Sequence, residues 1–224
     1  MTGSATEFER LLARAELLAK QGGAAEAALR FAAEIYREQA RLAAGLHGLP
    51  LLSGRIEEDL PGAAPEALAF WRGDPADPRG RTLLRPYVAL LAQRGVRPDR
   101  THPAGYCEFC GGAPWVASRV SEASSDGAAR RLHCSLCGVP WQVNRIRCVS
   151  CGEETPEKLP IFQTETYPEA RIEACETCKV YVKSIDLTTD ARRIPEVDDL
   201  LSVPLDLWAQ EEGFGRLEPG MAGV

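Results

Sequence analysis

The stretch Leu132-His-Cys-Ser-Leu-Cys-Gly-Val-Pro-Trp-Gln-Val-Asn-Arg-Ile-Arg-Cys-Val-Ser-Cys151 holds two Cys-x-x-Cys pairs, Cys134/Cys137 and Cys148/Cys151. One further pair precedes it, Cys107/Cys110, and one follows, Cys175/Cys178. Adding 41 to positions 107, 110, 134 and 137 gives 148, 151, 175 and 178, so the chain repeats a C-x₂-C-x₂₃-C-x₂-C unit. Neighbours follow the same offset: Gly111 with Gly152, Val120 with Ile161, Arg130 with Arg171, and Val139 with Val180. A strand-bearing unit of this size has been duplicated.

Two residues between cysteines allow a tight knuckle that aims both sulfurs at one ion. Amides behind the second sulfur are expected to donate to the thiolates, and the Gly after Cys110, Cys137 and Cys151 supplies turn freedom. Two knuckles brought together complete a tetrahedron of sulfurs, which suits Zn²⁺ or a single Fe without choosing between them. The spacer of 23 residues exceeds the roughly 15–20 of a zinc ribbon, and longer hairpin arms absorb the difference. Local closure of each repeat favours the partition 107/110/134/137 and 148/151/175/178 over a crossed one. Buried thiols or redox-active dithiols are the competing reading of a CxxC, and four pairs with duplicated spacing weigh against it.

With four sulfurs per ion no coordination position is left for water or substrate, which argues against Lewis-acid catalysis. The chain has three histidines, His47, His102 and His133. Of these, His133 abuts Cys134 and is expected to face solvent from a strand. No nucleophile motif or Gly-rich phosphate loop is present, so no catalytic residue is assigned. Trp115, Trp141, Phe162 and Tyr181 are expected to cover the cysteine hairpins, and Arg145 and Arg147 to balance thiolate charge.

The net charge of −6 is concentrated in the tail. Residues 1–104 hold 14 basic and 13 acidic residues, residues 105–183 hold 9 and 10, and residues from 184 onward hold 3 and 9. The tail acids read as a solvated helix face. No basic cluster supports nucleic acid as a partner. No segment approaches the roughly 20 apolar residues of a membrane span, so no membrane partner is expected. The first twenty residues lack a basic, then apolar, leader pattern. Eight cysteines without an export signal imply a reducing, cytoplasmic setting.

The first hundred residues read as helical. Phe8, Leu11, Leu12, Ala15, Leu18 and Ala19 line one face of a helix over 7–20, which Gly22 and Gly23 stop. A second helix over 24–44 places Ala28, Phe31, Ile35, Gln39 and Leu42 on a face. Ser53 is a candidate N-cap for a short helix, Pro65 starts another through Trp71, and 81–94 forms a helix that tolerates Pro86 near its start. Residues 99–105 form a linker. Short strands are expected at 115–121, 130–133, 139–147, 161–166, 171–174 and 180–186, then a helix over 196–212 and a frayed end. The fold class is α+β: a helical domain (1–98), two rubredoxin-like, zinc-ribbon-like modules (106–146 and 147–187), and a C-terminal helix and tail (188–224).

At 132–151 the sequence resembles the FdhE family of formate dehydrogenase accessory proteins. The resemblance extends to Cys107-Glu-Phe-Cys-Gly-Gly-Ala-Pro114, to Arg171-Ile-Glu-Ala-Cys-Glu-Thr-Cys-Lys-Val-Tyr-Val-Lys-Ser-Ile185, and to Asp198-Asp-Leu200, Leu205-Asp-Leu and Glu212-Gly-Phe214. About half the chain, 105–216, is covered; ahead of Cys107 only helical character matches, and the region is shorter. The resemblance implies that all eight cysteines ligate two rubredoxin-like centres. It also implies a non-enzymatic, chaperone-like maturation factor in the cytoplasm, whose partner is the catalytic (alpha) subunit of a molybdenum- or tungsten-dependent formate dehydrogenase. A homodimer is compatible with it. The rivals are a zinc-ribbon nucleic-acid module and a CxxC dithiol–disulfide oxidoreductase.

Overall fold

The computed structural model describes residues 6–49, 51–73, 78–99, 105–121 and 127–223. His102, and with it residues 100–104 of the expected linker, lies outside the described residues.

Helix α1 (Thr6–Ala19) ends at Gly22 and Gly23, both at positive φ, and its apolar face buries Phe8, Leu11, Ala15 and Leu18. Helix α2 (Glu26–Leu46) packs against it with Leu29, Ala32, Ala33 and Tyr36 inward. That face is rotated from the expected one: Phe31 is 59% exposed, and Ala28, Ile35 and Leu42 lie at the margin. Two apolar stripes overlap on this helix, and the alanine-rich one wins because small side chains let the helices approach closely while Tyr36 fills the core.

Ser53 does not cap α3 (Ile56–Asp59); its Oγ accepts from the Arg55 N–H. The side chain of Asp59 instead turns back to accept from the N–H groups of Ser53 and Gly54 and from the Tyr87 hydroxyl. Helix α4 (Pro65–Trp71) begins at Pro65, whose fixed φ suits a first turn, and α5 (Pro78–Arg94) carries Pro86 inside it. Helices α3 to α5 share a core built on Ile56, Ala67, Trp71, Leu84, Tyr87, Val88 and Leu91, and the first four cysteines belong to that core.

The sheet strands are β1 (Pro114–Ser121), β2 (Ala128–Cys134), β3 (Pro140–Val143), β4 (Ile161–Gln163), β5 (Ala170–Ala174) and β6 (Val180–Asp186). All six overlap the short strands expected from the sequence. They form one sheet in the order β3-β2-β1-β6-β5-β4. Within each repeat the pairing is antiparallel; the repeats join through a parallel contact, with Ala117, Ser118 and Arg119 opposite Ser184, Ile185 and Asp186.

The expected helix over 196–212 is broken into α6 (Pro195–Asp198), a 3₁₀ turn (Asp199–Ser202) and α7 (Val203–Glu211). Pro204 is the cause: it cannot donate to the preceding turn, but it fits the first turn of a new helix. The chain then adds a short strand, β7 (Gly215–Arg216), parallel to β6. The end is not frayed as far as Gly223: Gly220 is buried, Met221 packs on two cores, and the Pro219 carbonyl accepts from Arg81. No helix among the described residues is long and apolar enough to cross a membrane.

The tail acids are not a solvated face. Asp198 is fully buried and accepts a bidentate pair of hydrogen bonds from Arg14, and Glu196 is paired with buried Arg85. Lys183, wholly buried on β6, binds the Asp206 carboxylate, sits 3.1 Å from Asp199 Oδ1, and donates to the Asp199 carbonyl at 2.8 Å. Arg216 closes the cluster on Asp199 (2.9 Å) and Asp206 (3.0 Å), and the Tyr181 hydroxyl donates to Asp206 at 2.9 Å. Burial alone raises both acids. Arg216 and Lys183 outweigh it at Asp199, which is held below its ordinary range, whereas Asp206 stays above. Buried charges persist only when paired and hydrogen-bonded in this way.

Candidate metal centres

Each unit gathers its own four cysteines, in the uncrossed partition. Within the group Cys107, Cys110, Cys134 and Cys137, and within the group Cys148, Cys151, Cys175 and Cys178, all sulfurs lie within 4.8 Å of one another. The shortest separations are 3.6 Å for Cys107–Cys137, 3.4 Å for Cys110–Cys134, 3.6 Å for Cys148–Cys178 and 3.7 Å for Cys151–Cys175. A disulfide would bring two sulfurs to about 2.05 Å. A tetrahedral ion with metal–sulfur bonds of about 2.3 Å places its ligands roughly 3.8 Å apart, so the observed spacing suits a shared ion rather than a bond.

The four knuckles are built alike. The N–H of the residue after the second cysteine donates to the carbonyl of the first: Gly111 to Cys107 (2.8 Å), Gly138 to Cys134 (3.2 Å), Gly152 to Cys148 (3.1 Å) and Lys179 to Cys175 (2.8 Å). One residue further on, a carbonyl accepts from the N–H of the first cysteine, as Gly112 does from Cys107 and Val180 from Cys175. This turn needs a positive φ at the donating residue, and the values are 71°, 74°, 80° and, for Lys179, 55°. Glycine takes that conformation without strain. Lys179, the lone non-glycine residue with positive φ among the described residues, shows that the knuckle dictates the backbone even where the sequence gives no glycine.

Amides reach the sulfurs both behind the second cysteine, as Val180 does at Cys178, and more often at the first cysteine of a pair. The N–H groups of Leu136 and Cys137 point at Cys134 Sγ at 3.4 Å, and those of Ser150 and Cys151 at Cys148 Sγ at 3.4 and 3.5 Å. Such bonds favour the thiolate form.

The charge logic of each cluster calls for a cation. Contacts with the neighbouring thiols pull Cys107 down while pushing Cys110 and Cys137 up, and burial pushes Cys148 up to about 12. Four thiolates cannot coexist at these distances in a half-dry pocket unless a positive ion sits among them. Either group could hold a metal ion.

His133 does not turn to solvent: its ring is half-buried, with Nε2 2.8 Å from Ser118 Oγ of β1, and burial holds it at about 4, neutral near pH 7. The aromatic residues cover the sheet as expected in kind. Trp115 is stacked by Arg81 and Arg85 at 5.2 and 4.9 Å, Phe162 packs edge-on to Trp208, and Trp141 contacts two cores. Arg145 and Arg147 are exposed, and Arg147 pairs with Glu154 at 3.1 Å. A pairing the sequence did not disclose ties the repeats together: Arg130 and Arg171, equivalent under the 41-residue offset, both bind Glu173. Burial would raise Glu173, but the two arginines prevail and hold it below its ordinary value.

The model of the FdhE C-terminal domain matches residues 146–221. An FdhE homolog of Aquifex aeolicus is 38% identical over 140 residues, 62% of this chain and 49% of that protein. Through this region the chain is similar to the FdhE C-terminal domain. The FdhE protein of Escherichia coli is 35% identical over 130 residues, 58% of this chain and 41% of that protein. The chain thus spans about half or less of the length of the curated relatives it matches. The crystal structure of the FdhE protein from Pseudomonas aeruginosa shares the fold, with a TM-score of 0.72 at 22% identity, over 100% of this chain and 98% of that one.

Proposed function

We propose that the protein is a non-enzymatic accessory factor for a formate dehydrogenase, and that all eight cysteines ligate two metal ions, Zn²⁺ or Fe, four to each. In this reading it works in the cytoplasm and binds the catalytic subunit of a molybdenum- or tungsten-dependent enzyme during its activation. The observation that carries the reading is the pair of closed tetrathiolate clusters, the second of which lies within the stretch that is similar to the FdhE C-terminal domain. A tetrahedral ion with four protein sulfurs has no open position, so its contribution is to fix the fold or to hold an electron, not to activate a substrate. Paired arginines on the sheet also weigh against a nucleic-acid surface: Arg119 is taken by Asp186, and Arg130 and Arg171 by Glu173.

The test is copurification with the tagged catalytic subunit of the formate dehydrogenase from the same cell. The reading expects a stable complex, and loss of formate dehydrogenase activity in a strain deleted for this protein. Absence of a complex together with normal activity in the deletion strain would overturn it.

A further inference from the structure

We infer that the second cysteine centre is a ligand-exchange site, open to small thiols and chelators through Cys151, while the sulfurs of the first are buried; this rests on reading both groups as metal centres. The repeat makes the comparison residue by residue. Cys110 is 0% exposed and its equivalent Cys151 is exposed; Cys137 is 3% exposed and its equivalent Cys178 is half-buried.

The cause is legible in the residues between the ligands. In the first unit Phe109 and Leu136 sit inside the knuckles and join the core of α4 and α5, beneath Trp71, Leu84 and Val88. The equivalent residues of the second unit are Ser150 and Thr177, both exposed, and Gly152 faces the exposed side chain of Arg147. An apolar roof has been replaced by polar residues at the same two positions, and the helical core that covers the first centre does not include the second. What separates the centres is the exposure of Cys151, since a cavity of about 570 Å³ reaches buried Cys137 of the first and one of about 430 Å³, lined by Trp141, Arg147, Cys148, Ser150, Cys151 and Gly152, opens beside the second. That volume suits a small-molecule ligand.

The chemistry is a substitution without redox change. With an ion held by Cys148, Cys151, Cys175 and Cys178, an incoming thiol RSH would take the coordination place of Cys151, whose Sγ would receive the proton that the thiol gives up. Tetrahedral thiolate sites exchange by such associative steps when an incoming donor can reach the ion, and a buried site denies that approach. The second centre therefore gives up or accepts its ion while the first stays occupied.

The experiment uses the full chain loaded to two zinc ions, mixed with glutathione and an excess of a chromogenic zinc chelator. The expected result is two phases of release, one zinc leaving at least tenfold faster than the other. A brief pulse of N-ethylmaleimide during the fast phase, read by peptide mass spectrometry, is expected to label Cys148, Cys151, Cys175 and Cys178 ahead of the first four. The Cys151→Ser variant should retain one slowly released zinc and lack the fast phase. A single phase for both ions, or labelling of the first group as early as the second, would overturn the inference. Binding of fewer than two zincs by the unaltered chain would instead overturn the two-centre reading, and the inference with it.

Discussion

The two cysteine units carry one backbone design with two kinds of support. Both fold into three strands and two knuckles with matching hydrogen bonds, yet the first is held by apolar helices alone, whereas the second adds a buried cluster of ion pairs to its apolar contacts with α7 and Phe214. Around the first, Leu84, Val88 and Trp71 press on the cysteines. Behind the second, Lys183, Asp199, Asp206 and Arg216 clamp β6 to the C-terminal segment. Duplication conserved what the ligand geometry demands and left the packing of each unit free to diverge.

The largest expected effect separates the units by removing one ligand from each. A structural thiolate-bound zinc contributes on the order of 10 kcal/mol to folding, and the first centre also forms the floor on which α4 and α5 pack. Cys110→Ser is therefore expected to unfold the helices around the first unit, whereas Cys151→Ser should leave most of the helical signal intact. Circular dichroism during denaturant titration of both variants checks this. Equal losses would mean that the units are equally buried in function, whatever their exposure.

Next comes the ionic clamp. Lys183→Ala leaves Asp199 and Asp206 with Arg216 as the remaining cation, and removing one partner of a buried ionic cluster costs about 3–5 kcal/mol. The loss should appear in denaturant unfolding of the whole chain, with zinc binding at the first centre unchanged. Substitution on the apolar side, Leu84→Ala, is expected to cost about 2–4 kcal/mol through the cavity it opens. It should also speed chelator attack on the first centre, which Lys183→Ala should not.

The smallest effect concerns the knuckles. Lys179→Gly relieves a left-handed residue and is expected to stabilise by about 1 kcal/mol. Gly138→Ala should destabilise, because it adds the left-handed penalty and sets a Cβ 2.5 Å from Glu7 Oε1. Thermal unfolding of the two variants should shift in opposite directions.

Much of this was legible in the sequence. The 41-residue offset foretold the duplicated unit and the uncrossed gathering of its cysteines, since spacing reflects local closure, and the six strands overlap the short segments between turn residues where they were expected. What escaped is non-local. The parallel contact of β1 with β6, which fuses both units into one sheet, leaves no trace in either strand's pattern. The tail acids read as solvated because composition cannot reveal that Arg14, Arg85, Lys183 and Arg216 converge on them from distant elements. The roof over the first centre was present in Phe109 and Leu136 against Ser150 and Thr177, but its meaning depends on which helices lie above.

The most direct test of the account is the metal content of the full chain purified without oxygen, measured by elemental analysis alongside Cys110→Ser and Cys151→Ser. The account predicts two ions in the unaltered chain, Zn or Fe, with each variant losing the ion of its own centre. An unaltered chain free of metal, with all eight cysteines reacting at once with a thiol reagent, would contradict it.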